Sequence, residues 1–201
     1  MFVAHRINTI AELLNTPSYM GVEVDLRDAE GGIIISHDPF SSGENLEQYL
    51  QNYTHRFLIA NIKSERIELR VKKLLDKFQI KNYFFLDSST PMIVRCGLES
   101  GYKFAIRVSE YESVTSALRM KALADWIWVD CFEGLSIDRD EYLALKSAGF
   151  KLCLVSPELH DSARSILDFI KDLKKIGIVP DMVCSKYKNY DLWKTNLFES
   201  S

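Results

Sequence analysis

Short apolar runs recur along the whole chain. They are FVAHR (2–6), GVEVDLR (21–27), RFLIANIKS (56–64), NYFFLDS (82–88), KFAIRVS (103–109), WIWVDCF (126–132), KLCLVSP (151–157) and DMVCSKY (181–187). Each is rich in β-branched or aromatic residues and reads as a strand. Between most of them the apolar positions return with a helical period. In 65–79, Ile67, Val71, Leu74, Leu75 and Phe78 share one face, and in 163–176 Ile166, Ile170 and Leu173 do the same. Shorter helices are predicted at 9–16, 45–53, 113–123 and 138–148, the first opening on a capping box of Thr9 and Glu12. Eight β-then-α units of this kind predict a parallel sheet with crossover helices.

Two architectures fit that rhythm, a (β/α)8 TIM barrel and an open doubly wound sheet. No GxGxxG or GxxxxGK[ST] is present, so the nucleotide-binding open sheets have no fingerprint here. A second pattern favours the barrel. With period-2 alternation, the last inward-facing candidates of the runs are His5, Asp25, Lys63, Asp87, Arg107, Asp130, Ser156 and Lys186. All are polar, and all end otherwise apolar strands. In a barrel that end is the active-site face. One segment breaks the alternation. After the second strand, Glu30-Gly31-Gly32 reads as a turn and IIISHD (33–38) as a returning strand, so a β-hairpin extension is predicted that carries His37 back over the barrel mouth.

Composition narrows the class. The chain has 201 residues, the length of one domain spanning 1–201. It holds 25 basic and 28 acidic side chains, a net charge of −3, and no Lys/Arg tract, which argues against a nucleic-acid face. The longest apolar runs are strand-length, so no membrane span is expected. The start, MFVAHRINTI, lacks the layout of a signal peptide, and Cys96, Cys131, Cys153 and Cys184 form no CxxC. A reduced, cytoplasmic protein is expected.

The sharpest chemistry is N-terminal. His5-Arg6 ends the first strand, Glu23 and Asp25 lie two apart on the second, His37-Asp38 follows the hairpin, and Asn61 and Lys63 lie two apart on the third. Two carboxylates on one strand face repel unless something positive stands between them. A hard divalent cation with oxygen ligands does this well. Pairing with Arg6 and Arg27 as a structural salt-bridge cluster is the alternative. Imidazoles titrate near neutral pH and can give and take a proton. Arg6 and Lys63 suit a phosphate, Arg through paired hydrogen bonds and Lys as a point charge.

In order and spacing, HR … GVEVDLR … GGIIISHDP … LIANIK resembles the glycerophosphodiester phosphodiesterase family, and more loosely the phospholipase-C-like phosphodiesterase barrels. The resemblance covers residues 5–63. It implies that His5 and His37 are the general acid/base pair, that Arg6 and Lys63 contact the phosphate, and that Glu23 and Asp25 bind a Mg or Ca ion. Three departures stand out. The family's Gly after HR is Ile7. Its third carboxylate ligand is Asn61, whose amide oxygen can still ligate but brings no charge; Asp87, Asp130 and Glu133 are the acids that could compensate. Its cap segment after HD is missing, since about 17 residues separate Asp38 from Arg56.

The second half is expected to supply substrate contacts from Arg107, Asp130 and Lys186. Trp126, Trp128 and Tyr102 read as packing. Neither Cys131 nor Cys184 has a flanking base, and His55 and His160 sit in polar, loop-like stretches with no predicted role. The sequence thus predicts a compact barrel without a cap that acts as a metal-dependent phosphodiester hydrolase on a small phosphate ester. A phosphomonoesterase on a sugar or polyol phosphate, a metal-independent lyase and a non-catalytic phospho-ligand-binding barrel are the alternatives.

Overall fold

In a computed structural model of the chain, all eight apolar runs fold as strands. The structure describes residues 1–99, 101–160 and 164–199. In chain order the elements are β1 (Phe2–Ala4), α1 (Ile10–Asn15), β2 (Gly21–Ala29), β3 (Gly32–Ile35), β4 (Glu44–Asn45), α2 (Leu46–Gln51), β5 (Phe57–Ile62), α3 (Glu68–Lys77), β6 (Tyr83–Leu86) and α4 (Thr90–Cys96). They continue with β7 (Ala105–Val108), α5 (Val114–Arg119), β8 (Trp126–Val129), α6 (Arg139–Ser147), β9 (Lys151–Val155), α7 (Ile166–Ile176), β10 (Met182–Ser185) and α8 (Tyr190–Trp193). The chain divides into two compact units, residues 4–104 and residues 1–3 with 105–201.

The N-terminal unit is organised around β2, which is buried on both faces from Gly21 to Leu26. It pairs in parallel with β5, from Gly21↔Phe57 to Leu26↔Ile62, and β5 pairs in parallel with β6. On its other edge β2 turns back at Gly31 (φ +89°) into the antiparallel β3, from Leu26↔Ile35 to Ala29↔Gly32. The hairpin is therefore present. Its second strand stops at Ile35, short of the predicted 33–38, although Ser36 still donates its N–H to the Asp25 carbonyl (2.9 Å) in the same register. Alternation splits β2 cleanly: Val22, Val24 and Leu26 fall on one face, Glu23 and Asp25 on the other, all with no more than 0% exposure.

In the C-terminal unit, β7, β8, β9 and β10 pair in parallel and in sequence order. Their tight core includes Ile127, Val129, Leu152, Leu154 and Val183. The chain start belongs to this unit, with the Met1 ammonium donating to the Asp181 carbonyl (2.8 Å) and Val183 N–H to the Met1 carbonyl (3.0 Å). The last helical turns are stapled by Trp193, fully buried, whose Nε1–H reaches Ser156 Oγ (3.1 Å).

Helix starts follow local capping chemistry. The Thr9–Glu12 capping box forms on α1, and a second one, Asp138 with Glu141, starts α6. Of the predicted helix over 163–176, α7 occupies Ile166–Ile176, and position 163 lies outside the described residues. The pattern missed α4, α8 and the two-residue β4. Trp126 and Trp128 are buried and Tyr102 stacks on Phe104 (6.2 Å, 9°), the expected packing. All four cysteines are buried and none forms a disulfide. Among the described residues no helix is long and apolar enough to cross a membrane.

Candidate active site

The first unit gathers the predicted N-terminal residues around two buried carboxylates. Glu23 accepts the Arg6 backbone N–H on Oε2 (2.8 Å) and the Asn61 amide on Oε1 (2.8 Å), and His5 Nε2 stands 3.8 Å from Oε2. Asp25 exchanges two bonds with Asn8, Asn8 Nδ2 to Oδ2 (2.9 Å) and its own N–H to Asn8 Oδ1 (3.1 Å). Arg6 Nε lies 3.7 Å from Asp25 Oδ2, and Lys63 Nζ lies 3.7 Å from Oδ1 and 3.2 Å from Asp87 Oδ2. Of the three acids considered as compensating groups, the structure brings Asp87 to this cluster. The backbone bends unusually at its rim. Arg6 (φ +53°) and Asp87 (φ +59°) both adopt the left-handed region, which costs an L-residue roughly 1–2 kcal/mol.

The cluster is short of positive charge. Burial first, then the neighbouring Asp25, pushes the Glu23 carboxyl up to about 7, against the pull of Asn61, the Arg6 N–H and Lys63. Asp25 Oδ1 and Asn61 Oδ1 are both buried and accept no hydrogen bond. Two orphaned oxygens beside a second buried carboxylate are a donor set that a hard cation fits. Among the described residues no group of three or more His, Cys, Asp or Glu side chains is placed to hold a metal. Two carboxylates and one amide are what this cluster offers.

His37 stands on the turn after β3, half-exposed, with Nδ1 2.7 Å from Asp38 Oδ1. That contact, with the charge of His37, holds the Asp38 carboxyl below its ordinary range, and Arg6 and Arg27 add to the effect. In the tautomer that carries its proton on Nδ1, facing Asp38, the lone pair of the ring is on Nε2. The structure brings Arg27 here in a role that spacing did not reveal. It does not pair with Glu23 or Asp25. Its Nε and Nη2 donate to the His37 carbonyl (3.1 and 2.8 Å) and Nη1 to the Lys63 carbonyl (2.8 Å), tying two functional loops to β2. Tyr49, fully buried, likewise donates to the Ile7 carbonyl (2.8 Å) and fixes the loop after His5-Arg6.

The second unit places two of its three predicted residues together. Arg107 is ion-paired to Asp130 Oδ2, and the other Asp130 oxygen meets His160 Nε2 at 2.9 Å. His160 also packs on Phe132 (4.4 Å between ring centroids). No local motif marked His160, because its partner is thirty residues away. Lys186 stands apart and exposed, joined to its surroundings by its backbone N–H on Glu158 (3.2 Å). Glu133 accepts from Tyr111 Oη (2.9 Å). His55, for which no role was predicted, has Nε2 2.8 Å from the Thr16 carbonyl.

No protein-family model matches the chain, and no curated protein matches it in sequence. Solved structures do. The fold is similar to that in the crystal structure of a glycerophosphodiester phosphodiesterase from Agrobacterium tumefaciens str. C58, with a TM-score of 0.57 over 92% of this chain and 96% of that one. The likeness is one of fold, since the two sequences are 12% identical. The chain has a mixed α/β fold like that of this neighbour.

Proposed function

We propose that the chain is a phosphoric diester hydrolase of the glycerophosphodiester phosphodiesterase type, built on a closed, capless (β/α)8 barrel. The observation that carries this is the convergence of His5, Arg6, Glu23, Asp25, Asn61 and Lys63 on one buried, charge-deficient cluster. The fold likeness to a glycerophosphodiester phosphodiesterase supports it from a separate direction.

In this reading Glu23, Asp25 and the Asn61 amide oxygen hold a Mg or Ca ion, which supplies electrostatic polarisation of the phosphoryl oxygens. Arg6 and Lys63 face the phosphate and stabilise the charge that grows on its oxygens in the transition state. His37, its tautomer set by Asp38, takes the proton of the attacking hydroxyl on Nε2. His5, beside the high-pKa Glu23, returns a proton to the leaving alkoxide as the P–O bond breaks. Arg107, Asp130 and Lys186 stay candidate substrate contacts of the second unit.

The test is turnover against a panel of small phosphodiesters and phosphomonoesters with added Mg, Mn or Ca. Diester cleavage lost on chelation and restored by add-back is the expected result. Turnover of monoesters alone would move the assignment to a phosphomonoesterase, and diester cleavage indifferent to chelator would remove the cation from it. The same chain is predicted to lie in the cytoplasm.

A further inference from the structure

The turn after β3 carries a feature that the proposed chemistry leaves unused. Phe40 is fully exposed, at 108% of its reference accessibility, and its φ is +59°. Both properties are unfavourable. In the left-handed region Cβ crowds the following carbonyl oxygen, and Gly, Asn and Asp are the residues that tolerate it. A benzyl side chain in water leaves its apolar surface hydrated. A turn that needs this φ is better served by Gly or Asn on both counts.

The turn itself is built firmly. Ser41 Oγ donates to the Asp38 carbonyl (2.6 Å), and Ser36 Oγ stands 2.6 Å from Ser41 Oγ and 3.2 Å from the same carbonyl. Ser36 N–H is tied to Asp25, and Arg27 clamps the His37 carbonyl from β2. At the far end Gly43 approaches β3 so closely that a Cβ there would sit 2.1 Å from the Ile35 carbonyl oxygen. Phe40 lies in this same turn, two residues past Asp38, with its side chain in solvent.

We infer that Phe40 is a specificity-determining contact, an aromatic ledge for an apolar arm (alkyl, acyl or aryl) of the phosphate ester on which His37 acts. This rests on the hydrolase reading. The ring and such an arm each leave water when they meet, whereas a small polyol arm has little apolar surface to offer. The substrate class is then a phosphodiester with one apolar substituent.

The experiment compares wild type with Phe40→Asn and Phe40→Gly on two esters, bis(p-nitrophenyl) phosphate and glycerophosphoethanolamine. Both substitutions suit the local φ, so both variants are expected to keep or raise the melting temperature, which shows that they fold. The ratio of kcat/KM for the aryl ester to that for the polyol ester is expected to fall about tenfold, mainly through KM. An unchanged ratio, with wild type active on both esters, overturns the ledge and leaves the hydrolase reading standing. A lower melting temperature in both variants also overturns it, because Phe40 would then be a packing residue. Wild-type turnover of neither ester overturns the hydrolase reading, and this inference with it.

Discussion

Each unit buries carboxylates beside its strands, and the two meet the cost of burial in opposite ways. In the C-terminal unit Asp130 is held between Arg107 and His160, one cationic or donor group on each oxygen. Glu158 in the same unit collects Ser156, Ser185, Asn189 and the Lys186 N–H. Burial pushes its carboxyl up, and these bonds outweigh burial to hold it below its ordinary value. Glu110, an exposed acid of the same unit, is also held low, the N–H groups of Glu133, Gly134 and Phe132 outweighing its partial desolvation. In the N-terminal unit Glu23 and Asp25 share too few donors. Glu23 is pushed up to about 7, and Asp25 meets Arg6 and Lys63 only at 3.7 Å, beyond hydrogen-bond reach. A buried acid satisfied by its own chain stabilises and positions. A buried acid left short of charge is a place prepared for something else.

The largest effects are expected on turnover. His5→Ala and His37→Ala should each lower kcat by about 100-fold or more if they carry the proton transfers, while their melting temperatures stay close to wild type. Steady-state assays on a cleaved diester check this, and unchanged turnover in either variant removes that residue from the mechanism.

Next is the pH dependence of stability in the N-terminal unit without divalent cation. The Glu23 pKa rises on folding from 4.5 to about 7. Its stabilising contribution is therefore full below about pH 4.5 and is lost as pH climbs through 7. The loss from this group by pH 7 is about 3 kcal/mol. Denaturant melts of wild type and Glu23→Gln between pH 4 and 8 should diverge by that slope; parallel curves would show Glu23 to be already compensated.

Removing one carboxylate from each unit should then give opposite signs. Asp130→Ala leaves Arg107 and His160 facing each other without their shared anion, and about 2 kcal/mol of destabilisation is expected, less than for a fully buried pair because both partners are partly solvated. Asp25→Asn relieves repulsion with Glu23 and should leave the cation-free protein as stable or more so. Two losses of equal size would erase the contrast between the units. The smallest effect belongs to Tyr49→Phe. It frees the buried Ile7 carbonyl and should cost about 1 kcal/mol in a chemical melt.

Much of this was legible in the sequence because strands and paired carboxylates leave periodic marks. Every apolar run became a strand, and Glu23 and Asp25 fell on one face of β2 as two-residue spacing requires. The strand ends were less legible. His5, Lys63, Asp87, Asp130, Ser156 and Lys186 each lie one residue past the last residue of a strand, although Lys63, Asp130 and Ser156 still donate their N–H to the neighbouring strand. Helix α4 was not predicted although its local signals are present, Ser89 capping it and Pro91 standing in its first turn. Arg27 and His160 were illegible for a different reason. Their roles depend on carbonyls and carboxylates ten to thirty-six residues away, which only folding brings near.

The central contrast comes down to whether the N-terminal carboxylates take up a divalent cation. Thermal unfolding with and without Mg or Ca, for wild type, Asp25→Asn and Asn61→Glu, measures this most directly. The account predicts that cation raises the wild-type melting temperature, more at pH 7.5 than at pH 5 as Glu23 ionises. It predicts a larger rise for Asn61→Glu and none for Asp25→Asn. A wild-type melting temperature indifferent to both cations at either pH, with Asn61→Glu equally indifferent, would contradict it.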